Sequence, residues 1–280
     1  MVEETSVRFD AGAGAWAAYN QKPLGRVRQE VTWHNLAPYL PEATAAGAPC
    51  RVLDAGGGSG ELAVRLARRG YRVWLIDHAE AMLEQARQLA RSLPETERAR
   101  LTFCRMPADE VAGAFATASF EAITCHTLIE YLPQPRDTLR GLAGLLRPGG
   151  VLSLSFVNFY GEVLRQAWRQ GDPAGALARL DPPGGEADPA RFRATLFDLP
   201  GRAYTAGQVS AWLTELGLSV SAHLGVRAFA DQLCEKQGAG RLDDPDFLQA
   251  VLRLEKAAAS RLPYKLIARY VHLIAHQKPG

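Results

Sequence analysis

Cysteine is scarce in this chain of 280 residues. Cys50, Cys104, Cys125 and Cys234 stand far apart and form no C-x-x-C pair. Such spacing supplies neither a metal site nor a disulfide framework. Three of the four lie in or beside apolar strand-like segments, so all four are expected to be reduced core thiols of a cytoplasmic protein. Net charge is scarce too. The 32 basic and 30 acidic residues leave +2 at pH 7, too slight to announce a nucleic-acid partner, although a local patch can hide within it. No run of about 18 apolar residues occurs, so no membrane span is expected. Met1-Val-Glu-Glu-Thr5 has no basic region followed by an apolar one, the order of a signal peptide. Internal repeats, low-complexity tracts and any obvious nucleophile or acid–base pair are also missing. What remains is 47% hydrophobic and 22% charged, the composition of a soluble globular chain with a well-filled core. Its length suits one large domain or a domain with a substantial addition.

The chain is organised around Arg51-Val-Leu-Asp-Ala-Gly-Gly-Gly-Ser-Gly60. A short strand over 51–54 runs into a glycine-packed turn, and a helix over 61–69 follows at once, the opening of a mononucleotide-binding half of a doubly wound sheet. Glycines there let the backbone turn with positive φ and let a ligand come close. Tyr71–Asp77 reads as the second strand, and an acid at its carboxyl end can accept hydrogen bonds from both ribose hydroxyls of an adenosine. The dinucleotide fingerprint G-x-G-x-x-G fails in every register. The pattern present is Asp54-x-Gly56-x-Gly58-x-Gly60, which resembles that of class I S-adenosyl-L-methionine (SAM) methyltransferases. SAM carries a methionine ammonium and carboxylate in place of a pyrophosphate, and an acid in the strand beside bare glycine backbone suits that zwitterion. A merely tight structural turn is the plain alternative.

Taken in order, residues 1–50 suggest two helices, broken around Pro23 and Gly25, whose aromatics cover the cofactor cleft or a sheet edge. Arg28 opens the second; by composition alone it is a solvated arginine. A helix over 78–87 follows Asp77, with Met82 and Leu83 inward. The third strand, 101–105, leads to Met106-Pro-Ala-Asp109, where Asp109 either accepts from an adenine amino group or caps the next helix. The fourth strand, 120–126, leaves His126 at the carboxyl edge where open α/β sheets bind ligands, and Leu128–Leu132 begins another helix. Arg147-Pro-Gly-Gly150 stops a helix and turns into the fifth strand; the same turn precedes that strand in many SAM methyltransferases. Residues 160–200, with Pro173, Asp181-Pro-Pro-Gly-Gly and Pro189, read as a loop-rich insertion, a usual place for a substrate lid. A helix over 205–217 with Thr205 as N-cap, a sixth strand over 218–227, a helix over 245–259 and a closing antiparallel strand over 268–276 complete the pattern. The expected fold is α/β and Rossmann-like, a seven-stranded mostly parallel sheet with helices on both faces and a helical or loop insertion after the fifth strand. Its parts are a helical cap (1–50), a SAM-binding core (51–157), a lid (158–203) and the remaining sheet (204–280).

Over nearly its whole length the chain resembles the bacterial tRNA 5-carboxymethoxyuridine methyltransferases, which esterify the carboxylate of a modified wobble uridine. The resemblance rests on Gly25-x-x-Arg-Gln29, Arg51–Gly58, Cys125-His-x-x-x-Glu130, Leu145-x-Arg-Pro-Gly-Gly-Val-Leu-Ser153, Gly225-Val-Arg-x-Phe229 and Pro263-Tyr-x-x-x-x-Arg-Tyr-x-His272. It implies SAM as donor and S-adenosylhomocysteine as product. Arg28 would pair with the SAM carboxylate, Gly56 and Gly57 would meet the methionine part through the backbone, and Gly58 would belong to the same cofactor site. Asp77 would hold the ribose, Pro107 and Ala108 the adenine, and His126 would line the donor pocket unless it is a capping or core histidine. Relatives carry a lysine-rich run in the insertion; this chain has Asp181-Pro-Pro-Gly-Gly-Glu-Ala-Asp188, which withdraws the phosphate contacts that supply most non-specific RNA affinity. Arg191, Arg193, Arg202 and Arg227 are left to restore them.

Three readings follow. The first is methyl transfer to a carboxylate on a tRNA anticodon-loop base; that group is already ionised at neutral pH, so catalysis is placement and desolvation, with Arg202 and Arg227 orienting the carboxylate bidentately. The second is a small-molecule O- or N-methyltransferase, with His126 as the candidate base. The third is a SAM-binding module without catalysis. None calls for a metal or a membrane.

Overall fold

The computed structural model describes residues 2–45, 48–181, 190–194 and 196–278. Of the acidic run, residues 182–188 lie outside the described residues, as do the side chains of Arg191 and Arg193. Seven apolar segments pair into one sheet: β1 (Arg51–Ala55), β2 (Arg72–Asp77), β3 (Leu101–Arg105), β4 (Phe120–His126), β5 (Leu146–Val157), β6 (Leu218–Val226) and β7 (Tyr270–Gln277). Their order across the sheet is β6-β7-β5-β4-β1-β2-β3. The first five strands are parallel, while β7 runs antiparallel between β5 and β6. Strand order reverses between β1 and β4, and such a switch point opens a crevice at the carboxyl ends of the strands. Val52 and Leu53 are both fully buried but pack into different clusters, because successive strand residues face opposite sides of a sheet covered on both faces.

The cap is α1 (Val2–Gln21) and α2 (Pro23–Leu36). Lys22 separates them and Pro23 occupies the first turn of α2, where its missing N–H costs nothing. The parallel part of the sheet carries α3 (Glu61–Arg68), α4 (Glu80–Ala90) and α5 (Pro135–Leu145). α4 starts later than its apolar periodicity suggests, because Asp77 Oδ1 accepts from Ala79 N (2.9 Å) and holds the preceding turn.

No helix forms at Leu128–Leu132. Ile129–Tyr131 makes a single 3-10 turn, and Leu132 is extended at φ −76°, ψ 138°. Pro133 bars the helical conformation for the residue before it, so the helix begins only at Pro135. The insertion is also more regular than its prolines suggest. It holds α6 (Phe159–Trp168), a short helix Pro173–Leu177, and a hairpin of Ala190–Ala194 with Leu199–Ala203. Phe192 and Ala203 of the hairpin pack on Val157 and Phe159, while Phe197 and Leu199 pack on Ala13, Ala79 and Met82. The hairpin therefore bridges the cap and the carboxyl edge of the sheet.

α7 (Ala206–Glu215) has the expected start: Thr205 Oγ1 accepts from Gln208 N (3.1 Å) and Gln208 Oε1 accepts from Thr205 N (2.9 Å), a capping box. α8 (Ala230–Gln237), which the sequence reading lacked, and α9 (Pro245–Ala258) lie between β6 and β7. Among the described residues no helix is long and apolar enough to cross a membrane.

Glu255 of α9 fixes the turn after β6. It is 2% exposed and accepts from Ala228 N (2.8 Å), Phe229 N (2.9 Å) and Ala230 N (2.7 Å). Arg227, just before them, sits at φ +62°, a left-handed conformation that non-glycine residues adopt only when held there. Glu255→Ala strands three N–H groups at about 1–3 kcal/mol each. Denaturant unfolding is therefore expected to show a loss of roughly 3 kcal/mol or more, and a smaller loss for Glu255→Gln, which keeps one acceptor oxygen.

Candidate active site

The glycine turn leaves β1 directly over the crevice. A Cβ on Gly57 would stand 2.5 Å from Leu75 Cγ and 2.8 Å from Asp54 Oδ2, so no larger residue fits between the turn and the strand. Gly58, at φ +54°, aims its N–H at Asp77 Oδ2 (3.0 Å). Both oxygens of Asp77 are thus fixed by backbone, and the carboxyl group faces a cavity together with Gly56, Gly58, Met82 and Leu128. Burial raises its pKa; the N–H groups of Ala79 and Gly58 and the neighbouring His78 pull it back.

Beside the turn lies a cavity of about 100 Å³ lined by Arg28, Asp54, Gly56, Gly57, Gly58 and His126, among others. Asp54 is 3% exposed. Its Oδ1 accepts from Thr124 Oγ1 (2.7 Å), while Oδ2 has no partner. Burial pushes its pKa up to about 7. Arg28 is not the solvated arginine its composition suggested. It lies 4.5 Å over the Trp16 ring, and Nη2 donates to Asn20 Oδ1 (2.8 Å). Asn20 in turn donates to Ser59 Oγ (3.1 Å) and Glu61 Oε1 (3.0 Å). Arg28 Nε has no partner. One cavity thus holds a carboxylate oxygen in need of a donor and a guanidinium N–H in need of an acceptor. An α-amino acid zwitterion supplies both.

His126 lines this same cavity. Its Nε2 is 2.8 Å from Ser153 Oγ, and burial, then His272, then Arg28 hold its pKa well below the usual imidazole range. It is a neutral ring with one nitrogen already engaged, and its lowered pKa makes it a weak base toward a hydroxyl or amine. Thr127 follows at φ +52°, strained for a β-branched residue, with its N–H on Ser155 O (2.7 Å).

A second cavity, about 330 Å³, is lined by Phe9, His78, Pro107, Ala108, Asp109, Leu128 and Arg202. Pro107 and Ala108, expected from the resemblance to meet the adenine, line this cavity together. Asp109 caps nothing: Glu110 is the N-cap residue of Val111–Ala114, and no side chain bonds there. Arg202 also faces this cavity, with Nη1 on Leu132 O (3.1 Å) and Pro133 O (3.0 Å). Arg202 and Arg227, paired in the sequence analysis, line different cavities, which meet at Phe9, His78, Leu128, Glu130 and Tyr131.

Arg227 faces a third cavity of about 380 Å³, which shares Gly56 and Gly58 with the first and Phe9 and Leu128 with the second. Arg165, Arg169 and Arg269 line it too, beneath the rings of Trp16, Tyr19, Tyr131, Phe192 and Tyr270. Acids stand behind the arginines. Arg165 and Arg269 share Glu162, Arg227 pairs with Asp231, and Arg169 pairs with Glu235. The four arginines outnumber the carboxylates paired with them by one, and the Asp77 carboxyl faces the same cavity. Glu130 also faces it, 1% exposed, with neither carboxyl oxygen partnered and its pKa pushed by burial up to about 8. Arg165, Arg169 and Arg269 were not singled out from sequence, and neither was Glu130. The signals available were the Arg269-Tyr-x-His272 and His126-x-x-x-Glu130 segments, which carry no roles until the fold joins them.

A family model described as a methyltransferase domain matches residues 52–150. The chain is 32% identical over 253 residues, 90% of its length and 89% of the relative, to the tRNA 5-carboxymethoxyuridine methyltransferase of Escherichia coli strain K12. It is 37% identical over 156 residues to a ubiquinone biosynthesis O-methyltransferase of Xanthomonas axonopodis pv. citri, covering 54% of this chain and 59% of the other. Among solved structures, a SAM-dependent methyltransferase of Thermotoga maritima, described as a possible histamine N-methyltransferase, superposes with a TM-score of 0.60 at 13% identity, over 97% of this chain and 99% of that one.

The raised pKa of Asp54 sets a sign for stability. An acid held above its unfolded value of 3.8 at about 7 favours the protonated folded state, so this group's contribution is greatest below pH 4 and falls as pH climbs to 7. Asp54→Asn mimics the neutral form. Without ligand it is expected to melt at a higher temperature than the parent protein at pH 8, with the difference vanishing near pH 4; scanning calorimetry across that range checks it.

Proposed function

The chain belongs to the family of the tRNA 5-carboxymethoxyuridine methyltransferases and is a SAM-dependent methyltransferase, and from that premise we propose that it transfers the methyl group to a carboxylate carried by a tRNA anticodon-loop base. The observation that carries this reading is the chamber wall, where four arginines face inward, three acids stand behind them, and aromatic rings close the remaining sides. A flat base bearing one negative charge fits such a wall: a ring for the aromatics and an anion for arginines that share three acids among four. A cytoplasmic setting goes with this reading.

SAM supplies an electrophilic methyl group on a sulfonium. The residues present fit it. Asp54 Oδ2 would accept from the methionine ammonium, Arg28 would pair with the carboxylate, and the backbone of Gly56 and Gly57 would admit the chain closely. Asp77 would hold the ribose hydroxyls, and Pro107, Ala108 and Asp109 would border the adenine. Arg227 and Arg269 orient the acceptor carboxylate, while Tyr19, Tyr131 and Tyr270 exclude water and hold the ring. The hairpin of the insertion serves as the lid. No base is needed, since a carboxylate is ionised well below pH 7; the protein's part is alignment and desolvation.

A hydroxyl acceptor, as for the ubiquinone-pathway relative, would need a base. The pKa of His126 is held well below the usual imidazole range with Nε2 engaged, which makes it a weak base, and Glu130, at about 8, is mostly protonated at neutral pH. These two groups favour the carboxylate acceptor.

Incubation with SAM and tRNA bearing 5-carboxymethoxyuridine is expected to yield the methyl ester in the digested nucleosides; its absence, with tRNA and SAM both bound, would falsify the acceptor. Asp54→Asn is expected to weaken SAM binding by about tenfold or more, the worth of one hydrogen bond to a charged group, as read by calorimetry at pH 8.

A further inference from the structure

His272 lies on β7, buried beneath the donor cavity, and has no part in the chemistry above. Its Nε2 is 2.7 Å from Ser153 Oγ on β5, and the same oxygen is 2.8 Å from His126 Nε2 on β4. Ser153 and His272 are both 0% exposed, and the two rings meet edge to face at 5.2 Å between centroids. A hydroxyl between two imidazoles donates its one proton to one ring and accepts from the other. The arrangement thus has two states, which differ in where each ring carries its hydrogen.

His272 decides between them. Its Nδ1 is buried without a partner. If that nitrogen carried the hydrogen, a donor would be sealed in without an acceptor, the rarer and costlier orphan. With the hydrogen on Nε2, His272 donates to Ser153, Ser153 donates to His126 Nε2, and His126 must carry its own hydrogen on Nδ1. That nitrogen has no protein partner among the described residues and is not among the buried orphans, so it is the one open to the cavity.

We propose that Ser153 and His272 are positioning residues that lock His126 in the Nδ1–H tautomer, making it a neutral hydrogen-bond donor to the methionine carboxylate beside Arg28. The proposal rests on the reading that places the methionine end of SAM in that cavity. His272 thereby reaches the donor cavity through a string of two hydrogen bonds. A lone His126 would be free to turn a lone pair toward an anion. The relay forbids that state.

Two measurements test this. Nitrogen-15 NMR of histidine-labelled protein without ligand, assigned by His126→Gln and His272→Gln, is expected to show His126 protonated on Nδ1 and His272 on Nε2; the reverse pattern overturns the relay. Calorimetry of SAM with Ser153→Ala is expected to show affinity falling about five- to tenfold, the worth of one hydrogen bond, while Ser153→Thr, which keeps the hydroxyl, stays within about twofold of the parent protein. Undiminished SAM affinity in Ser153→Ala also overturns the relay, and the tautomer pattern of the unsubstituted protein decides if that variant fails to fold. Neither readout involves the acceptor, so failure to methylate tRNA would sink the substrate reading and leave this one standing. Failure of the unsubstituted protein to bind SAM would remove both.

Discussion

One oxygen of Asp54 has a hydrogen bond from Thr124 and the other has none, under a turn that admits no side chain. An unpaired carboxylate in that place is costly, and the pKa near 7 expresses the cost. The carboxyl edge of the sheet is arranged about it. The bare backbone of Gly57 keeps the space above it open, Arg28 stands across the cavity with its own unpaired N–H, and the Asn20–Ser59–Glu61 cluster holds Arg28 in place. Each of these groups is poorly solvated alone, and a zwitterion settles two of them at once. Binding here is the completion of an electrostatic arrangement that folding leaves open.

The acceptor chamber repeats the idea with the opposite sign. Its arginines are not free ions, since each has an acid behind it, but Glu162 serves two of them. The ion pairs keep the guanidinium planes rigid, and their incomplete compensation keeps the wall attractive to an anion. Glu130 extends the selectivity. Mostly protonated at neutral pH, it adds little negative charge to the arginine wall. Thr127 and Arg227, both at positive φ, stand at the two sides of this region, so backbone strain gathers where the ligands meet.

The donor half of the site was legible in the sequence because it is local. The strand, the glycine turn, the following helix and Asp77 lie within about 25 residues, and their chemistry follows from their order. Arg28 needed the resemblance, since nothing in its neighbours distinguishes it from a surface arginine until Trp16 and Asn20 fold over it. The acceptor half was not legible. Arg165, Arg227 and Arg269 come from α6, the end of β6 and the approach to β7, and nothing short of the sheet order says that they converge. Arg202 shows the same limit: the hairpin sets its Nη1 on the carbonyls of Leu132 and Pro133, in the cavity beside that of Arg227. The missing helix at Leu128–Leu132 was legible in principle, because Pro133 and Pro135 forbid it.

The position of β7 has a consequence for how the protein comes into being. This strand is made after every other strand, yet it lies between β5 and β6 and brings Tyr270 and His272 under the cleft, with Arg269 just ahead of it. A nascent chain can assemble the parallel half and its glycine turn while still attached to the ribosome, but β6 has nothing to pair with until residues near 270 have emerged. The molecule therefore acquires its donor turn early in synthesis and its acceptor wall last. A prematurely released product would carry the first without the second.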